Sequence, residues 1–499
     1  MTSINEHTAL SGHESPDNGH ISRPPRQSQG LGTLAFTELW ERFSFYGLQG
    51  ILAFYLLYAL NEGGLALAPA VSAGIVGAYG GAVYLAQIFG AWMGDRVLAP
   101  KRMVFWGGIV ITLGHLALAF IPGLTGLGVG LGLIVIGTGA LKTNITSIVG
   151  FVLESDPTKR DAGFSYFYMA INIGAVIGPL ATGLAQSMAG FHLGFGLAAI
   201  GMIAALVQYA VGMRKLPQQA GVVRNPLPMR KAWAPAAIVA ALVALLAALW
   251  ATGIVNDSNM ANVTTLVVVM AAAVYFLVLL TSKQVTRVEK QRVRGFVPLF
   301  IASGLYFGFL FQNFTTIAII ITDRVDLAVG SWSFPAAWIT TMGPLAAVLV
   351  TPIIARLWTR MGSRQPGSAA KFSFGMIQIG VGYVFLLSVS MIQDSEISLI
   401  VMLLFMIIVG TSEVLIGPIG LSLATRIAPD KYKSQLVALI FLALAAGSSL
   451  SGLLGQLYTT MSHEAYLAMI AATAIGLGLL LRIFSQRIQA MINAGLPQL

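Results

Sequence analysis

The sequence contains no cysteine, and charged side chains occupy only 10% of its 499 positions. Without cysteine the chain forms no disulfides, thiolate metal ligands or thiol nucleophile. Three of the six histidines, His7, His13 and His20, fall near the start of the chain and the others are scattered, so they offer no metal-ligand spacing. The composition therefore predicts no metal site, and the low charge argues against an ordinary soluble surface.

Apolar side chains make up 56% of the sequence. Apolar runs of about 20 residues recur from residue 31 to residue 488, and about 20 residues allow a helix to cross the hydrocarbon core of a bilayer. A transmembrane β-barrel would instead show segments of about 10 residues that alternate between apolar and polar. We therefore predict an all-α polytopic membrane protein. Its 14 predicted spans lie near residues 31–60, 70–94, 103–121, 126–152, 162–187, 191–213, 232–252, 260–281, 296–321, 334–358, 372–392, 397–427, 434–460 and 465–484.

The basic residues predict how the chain is oriented. Of its 29 Lys and Arg residues, 26 fall in residues 1–30, in every second turn between the predicted spans, or near the end of the last span. Because cytoplasmic segments are enriched in Lys and Arg, both termini are predicted to be cytoplasmic. This topology explains the formal charge of +10 without a nucleic-acid partner. Residues 1–30 lack apolar periodicity and are predicted to be a disordered cytoplasmic tail.

The first predicted span carries three ionisable side chains, Glu38, Glu41 and Arg42. At helical spacing Glu38 and Arg42 share a face at positions i and i+4, and Tyr46 continues the same side. A charge near the bilayer centre costs roughly 2.5–3.5 kcal/mol, so such residues face a protein interior or a water-filled cavity. We therefore predict that this helix lines an ion or substrate path.

Two further ionisable residues lie inside predicted spans, Lys142 in the fourth and Glu413 in the twelfth. With the first-span residues they give three acids and two bases, so one added proton makes the set neutral. A small zwitterion fits the same inventory, with its ammonium group near Glu413 and its carboxylate near Arg42 and Lys142. A purely structural pairing of Lys142 with a first-span glutamate is the alternative interpretation.

The turn between the second and third spans includes Asp95 and Arg96, in the sequence GAWMGDRVLAPKR at residues 90–102. It resembles the short loop motif of the major facilitator superfamily, and residues 356–364 are a weaker echo of it. The resemblance implies two six-helix bundles around a central site near the midplane. The corresponding parts are an N-terminal bundle at 31–213, a linker with two extra helices at 214–295, a C-terminal bundle at 296–487 and a cytoplasmic tail at 488–499. We expect the inserted helix pair to be peripheral.

Four segments make a closer resemblance. Residues 38–46 are similar to the ExxERFxYY signature of the proton-dependent oligopeptide transporter family, and residues 164–174, FSYFYMAINIG, resemble its second signature. Residues 137–144 are similar to the family's lysine segment and contain Lys142, and residues 413–420 are similar to its glutamate segment and begin with Glu413. All four stand in the family's order on the matching spans.

The resemblance implies a proton-coupled symporter that imports di- and tripeptides across a bacterial inner membrane, as a monomer that needs no cofactor besides the proton gradient. It implies proton coupling by Glu38, Glu41 and Arg42, and a gating or structural role for three further residues, Asp95, Arg96 and Asp323. Substrate binding is implied for Arg42, Tyr46, Tyr84, Lys142, Tyr168, Asn172, Gln312 and Glu413.

Other interpretations of the sequence stay open at this point. In the alternative interpretation, a proton-coupled transporter with the same fold carries another small zwitterion or anion, such as nitrate, a peptide-like drug or another metabolite. The tyrosines and Asn172 also suit plain interhelical hydrogen bonding. A membrane enzyme is disfavoured because no nucleophile, metal site or acid–base pair lies at a membrane surface. A channel is disfavoured because the charges form one cluster and not rings along a pore.

The chain departs from the family pattern at five positions. Many members have a tyrosine, a basic residue, an acid, an asparagine and a tryptophan where this chain has Phe45, Gln49, Phe311, Gly343 and Ile440. The apolar side chains at positions 45 and 440 predict a pocket that is less polar on one side than in typical relatives. Such a pocket favours peptides with bulky apolar side chains.

Overall fold

A computed structural model describes residues 27–154, 157–228, 248–392 and 396–495, together with residues 237, 241, 244 and 245. These residues form an almost entirely helical structure. Its α-helices are α1 Gln27–Leu57, α2 Pro69–Arg96, α3 Pro100–Phe120, α4 Gly123–Glu154, α5 Pro157–Ala189, α6 Phe191–Gly212, α7 Met260–Thr281, α8 Arg287–Leu310, α9 Thr316–Arg324, α10 Ala336–Met361, α11 Ser368–Ser390, α12 Leu399–Ser412, α13 Gly417–Ile427, α14 Lys433–Tyr458 and α15 His463–Ile492. Four two-residue strands are β1 Val325–Asp326, β2 Ala328–Val329, β3 Trp332–Ser333 and β4 Ile397–Ser398.

The helices confirm the predicted all-α polytopic membrane fold. Among the described residues, 12 helical segments are long and apolar enough to cross a membrane. The charged helix α1 spans 31 residues, which is long enough to cross a bilayer, whereas the predicted span at 232–252 lies largely outside the described residues. Two boundaries differ from the prediction. Helix α1 begins at Gln27, inside the segment predicted as a tail, and α15 continues to Ile492.

Two spans that we predicted as continuous are interrupted near their middle. A 3-10 turn at Phe311–Phe314 separates α8 from α9, and another at Glu413–Leu415 separates α12 from α13. Proline chemistry contributes to the second break. Pro418 has no backbone N–H and cannot donate to the carbonyl of Val414, so one bond of the α-helical ladder is missing, and Pro418 lies in the first turn of α13, where a helix tolerates this loss.

Helices α1 to α6 pack on one another and α8 to α15 on one another, which gives two bundles. We call the end that carries the turns 97–99 and 362–367 the basic end, and the opposite one the far end. The bundles touch toward the far end, where Trp338 Nε1 donates to the carbonyl of Leu180 at 2.8 Å. On the other flank α2 and α14 approach so closely that a Cβ on Gly77 would lie 2.6 Å from the Cα of Gly452.

Helix α7, the second helix of the inserted pair, packs on the outside of the seam between α2 and α14. A Cβ on Gly81 of α2 would lie 2.8 Å from the methyl group of Thr264. Gln456 of α14 donates to the carbonyl of Ser258, just before α7, at 2.9 Å. Nearer the basic end, the ring of Phe276 packs 5.1 Å from that of Phe300 in α8. The helix therefore lies beside the bundles and contacts both.

Candidate functional site

The charged residues of α1 form a buried cluster with the lysine of α4. The Arg42 guanidinium binds Glu41 through two hydrogen bonds, from Nε at 2.6 Å and from the terminal nitrogen at 2.7 Å. Its Nε also lies 3.6 Å from Glu38 Oε1, which forms an ion pair with Lys142. Glu38, Glu41 and Arg42 are at most 7% exposed. We call Glu38, Glu41, Arg42 and Lys142 the charge cluster.

Helices α5 and α4 hold this cluster in place. Gly174, at the end of the FSYFYMAINIG segment, allows α5 to lie against the turn of α1 that carries Arg42, since a Cβ there would lie 2.9 Å from the Arg42 Cβ. On α4, the Asn144 side-chain amide donates to the carbonyl of Gly90 in α2 at 3.0 Å. This bond fixes the turn of α4 next to Lys142.

The charge cluster contains two acids and two bases, so its ionised form has no net charge. Buried ions are tolerated when each finds an opposite charge at hydrogen-bond distance, and removing one partner leaves its neighbour unpaired at a cost of about 3–5 kcal/mol. One oxygen stays outside the pairing, because Glu38 Oε2 has no hydrogen-bond partner among the described residues. The cluster is therefore balanced as a whole, and it retains one free acceptor.

Glu413 occupies the opposite bundle, as the first residue of the 3-10 turn that interrupts its span. Among the described residues it takes part in no ion pair. It interacts electrostatically with three tyrosines of the N-terminal bundle, Tyr46, Tyr84 and Tyr168. The carboxylate thus lies toward the interface between the bundles, near tyrosines that follow the charge cluster on the N-terminal side.

A cavity lies between the bundles, next to the charge cluster. The rings of Tyr84 and Phe311, one from each bundle, are nearly parallel at 14° with centroids 6.2 Å apart. The Arg42 guanidinium lies 4.7 Å from the ring centroid of Phe45, where it joins the cavity wall to the cluster. The lining residues carry no formal charge: Phe45, Tyr46, Gln49, Val76, Gly80, Tyr84, Phe311, Phe314, Ser448 and Ser451.

The site is open toward the basic end. Tyr168 is 55% exposed although it interacts electrostatically with Glu413 on the other bundle, so an open space separates α5 from the break after α12. On the same helix Asn172 donates from its side-chain amide to the Tyr168 carbonyl at 3.0 Å. The hydrogen bond from Trp338 to Leu180, which joins the bundles, lies farther along, toward the far end. The geometry is that of an inward-facing cleft if the basic end is cytoplasmic.

The remaining predicted residues lie away from the cluster. Gln312 is fully buried, and its carbonyl accepts the hydroxyl of Tyr466 at 2.5 Å, so it contributes to packing behind the break in this conformation. Asp95 and Arg96 are exposed at the basic end of α2, and Asp323 is exposed at the far end of α9.

Sequence reasoning missed several wall residues, above all Phe314, Ser448 and Ser451. Phe314 lies within an unexpected helix break. Ser448 and Ser451 belong to α14, a helix without ionisable residues in its middle. Small hydroxyl residues of this kind are common between membrane helices, so their composition gave no signal of a cavity.

Comparison with known proteins gives consistent matches. The sequence pattern of the POT family matches residues 101–473. A di-/tripeptide transporter of Lactococcus lactis subsp. cremoris is 34% identical over 482 residues, which cover 94% of this chain and 97% of that one. A crystal structure of the peptide transporter POT in complex with sulfate is 36% identical, with a TM-score of 0.89, and the match covers 95% of this chain and 97% of the other. A POT family transporter in complex with 5-aminolevulinic acid is 31% identical, with a TM-score of 0.87 and coverage of 95% and 98%.

Proposed function

The chain belongs to the POT family, whose members are transporters and not enzymes, and on this premise we propose that it is a proton-coupled symporter of di- and tripeptides. It works by alternating access of a central site and needs no cofactor other than the proton gradient. Its relative from Lactococcus lactis subsp. cremoris is named a di-/tripeptide transporter. The observation that carries the proposal is the charge cluster in one bundle and, in the other bundle, Glu413, which takes part in no ion pair among the described residues.

A dipeptide zwitterion complements this arrangement. Its ammonium group binds Glu413, and its carboxylate binds Arg42 and Lys142. Because the two charged ends of the peptide engage different bundles, a bound peptide draws the bundles together. Charge-assisted hydrogen bonds of this kind are about twice as strong as neutral ones. Tyr46 and Tyr84, which line the cavity beside the cluster, contact the peptide between its ends.

Proton coupling follows from competition for the two bases. In the described state Arg42 is held by Glu41, and Lys142 by Glu38. A peptide carboxylate displaces one of these glutamates, which then needs a proton because an unpaired buried charge is costly. Protonation of Glu38 or Glu41 and binding of the peptide carboxylate therefore favour each other, and the coupling is reciprocal.

The same reasoning supports the location and the organisation of the chain. We place it in a bacterial inner membrane with both termini cytoplasmic, since the basic turns mark the cytoplasmic side. Residues 31–213 and 296–487 act as the two moving bundles and residues 214–295 as the insert between them. The protein works as a monomer, because the charge cluster, Glu413 and the cavity lie within one chain.

A second cargo class is a small zwitterion that is not a peptide. A similar POT family transporter was solved in complex with 5-aminolevulinic acid, which carries an ammonium group and a carboxylate like a dipeptide. The charge cluster and Glu413 recognise these two groups and not the peptide bond. Both cargo classes use the same proton machinery.

Uptake of labelled dialanine into proteoliposomes tests the proposal. A membrane potential of about 100 mV gives each proton about 2.3 kcal/mol, enough for about 40-fold accumulation before any pH gradient is counted. We expect accumulation when the outside is acidic and its collapse when a protonophore is added. Uptake that ignores the gradient would contradict proton coupling. Accumulation of 5-aminolevulinic acid without dialanine would favour the second cargo class.

A further inference from the structure

We propose that Tyr306 is a positioning residue that holds Glu413 in place through the hydroxyl group of Ser412. The proposal rests on the proposed contact between Glu413 and the ammonium group of the substrate. It starts from a hydrogen bond of 2.8 Å between the Tyr306 hydroxyl in α8 and the Ser412 hydroxyl at the end of α12. Ser412 immediately precedes Glu413, so this bond joins α8 to the residue beside the carboxylate.

The single hydroxyl proton of Ser412 decides which of the two residues donates in this hydrogen bond. The Ser412 hydroxyl donates to the carbonyl of Val409 at 2.6 Å. A serine hydroxyl has one proton to donate, so it accepts in its bond with Tyr306, and the tyrosine donates. Tyr306 and Ser412 are both 0% exposed. The chain from Tyr306 through Ser412 to Val409 is therefore shielded from water, which would otherwise compete for each bond.

The hydrogen bond from Ser412 to Val409 replaces a backbone hydrogen bond that the helix lacks. In a regular α-helix the N–H of Glu413 would donate to the carbonyl of Val409, four residues earlier. Here the N–H of Glu413 donates to the carbonyl of Gly410 instead, as in a 3-10 turn. The Val409 carbonyl accepts the Ser412 hydroxyl in its place. The tyrosine thereby fixes the side chain that terminates α12, and with it the direction in which Glu413 leaves the helix.

Packing restrains the same turn from the other side. Gly343 of α10 faces Gly410, and a Cβ on Gly343 would lie 3.5 Å from the Cα of Gly410. The last turn of α12 is thus held between the backbone of α10 and the Tyr306 hydroxyl. Without the Tyr306 hydroxyl, the Ser412 hydroxyl loses its hydrogen-bond donor. The last turn of α12 is then restrained on one side only, and the Glu413 side chain can change its orientation.

Tyr383 of α11 provides a matched control. It is also 0% exposed, and its hydroxyl also donates to a buried acceptor, the carbonyl of Phe309, at 2.9 Å. That bond lies at the other helix break, after α8. Replacement of either tyrosine with phenylalanine removes one buried hydrogen bond, so both variants lose a similar amount of thermal stability. Only Tyr306→Phe is expected to disturb Glu413.

The first measurement compares dialanine with N-acetyl-dialanine as inhibitors of labelled dialanine exchange. We expect Tyr306→Phe to raise the half-inhibition concentration of dialanine about three- to tenfold, the loss typical of one hydrogen bond, while that of the acetylated peptide changes less than about twofold. Ser412→Ala should show the same signature. Tyr383→Phe should not discriminate between the two peptides. Equal losses for both peptides in Tyr306→Phe would overturn the proposal.

The second measurement needs no substrate. Thermal unfolding of the unaltered protein, Tyr306→Phe, Ser412→Ala and the double variant forms a double-mutant cycle. If the two hydroxyls act as one chain, the double variant unfolds at nearly the same temperature as the less stable single variant. If the losses in unfolding temperature of the two single variants add up in the double variant, the two hydroxyls do not act together and the proposal is overturned. If neither dialanine nor 5-aminolevulinic acid binds the unaltered protein, the proposed function fails, whereas this cycle still decides whether Tyr306 and Ser412 act together.

Discussion

Replacement of Glu413 with glutamine tests the central assignment of the site. The change keeps the size and hydrogen-bonding capacity of the side chain but removes its charge. No carboxylate is among the described residues that line the neighbouring cavity. Glu41 and Glu38 are already paired with Arg42 and Lys142, so neither is free to replace Glu413. A hydrogen bond to a charged group contributes about 1.5–3 kcal/mol, and about 1.4 kcal/mol corresponds to a factor of ten in affinity. We therefore expect dialanine to bind about 10- to 100-fold more weakly.

The assay is competition against labelled dialanine in exchange across proteoliposomes, which requires binding and reorientation but no proton gradient. Free dialanine and N-acetyl-dialanine are compared, because the acetylated peptide has no ammonium group for Glu413. The affinity for the acetylated peptide should fall by less than about threefold. The matched control is Glu396→Gln, which makes the same change at an exposed carboxylate before β4 and should leave both peptides unaffected.

An equal loss for free and acetylated peptides would refute the reasoning. It would show that the charge of Glu413 acts on the conformational equilibrium or on the proton, and not on the ammonium group. An unchanged affinity for free dialanine would be equally damaging. In that case the ammonium group must bind elsewhere, and the facing tyrosines would be the next candidates.

Three further predictions concern coupling, topology and selectivity. The Glu38→Gln, Glu41→Gln double variant should still exchange labelled for unlabelled peptide. It should not accumulate peptide when a proton gradient is imposed, because both neutral side chains imitate the protonated state. Accumulation at the level of the unaltered protein would show that another residue carries the proton. A cysteine introduced at the exposed position of Ser333 should react with an impermeant reagent from outside, and one at the exposed position of Gln284 should not. The reverse pattern would show that the chain has the opposite orientation in the membrane. Diphenylalanine should compete better than diaspartate in the uncharged cavity beside Phe45, since burial of an unpaired charge is costly; a preference for diaspartate would contradict this.

The sequence was sufficient to predict the membrane fold and the members of the charge cluster. Glu38, Glu41 and Arg42 could be placed together because a helix fixes which positions share a face. Lys142 and Glu413 could be added because ionisable side chains are costly in a membrane and so are rare there. Such arguments depend on spacing and composition, which a sequence contains in full.

Pairing and direction could not be predicted in the same way. Helical spacing favours Glu38 as the partner of Arg42, yet Arg42 binds the adjacent Glu41 at 2.6 Å and Lys142 takes Glu38. That choice depends on side-chain rotamers and on where α4 lies. Gln312 was expected at the substrate but accepts the hydroxyl of Tyr466, because a helix break turns its side chain in a direction that helical periodicity does not describe.

The separation of charge between the bundles explains why one proton and one zwitterion suit this site. The charge cluster balances itself, so neither Glu38 nor Glu41 gains from a proton while both bases stay paired with them. Glu413 takes part in no ion pair among the described residues, so under the proposed function it gains from the ammonium group of a substrate. Once the substrate carboxylate enters the cluster, the two bases face three carboxylates, and one of these must be protonated to restore neutrality. In the proposed function a zwitterion that pairs with Glu413 therefore moves the need for a proton from that carboxylate to the charge cluster, and this explains why the proton and the zwitterion are carried together.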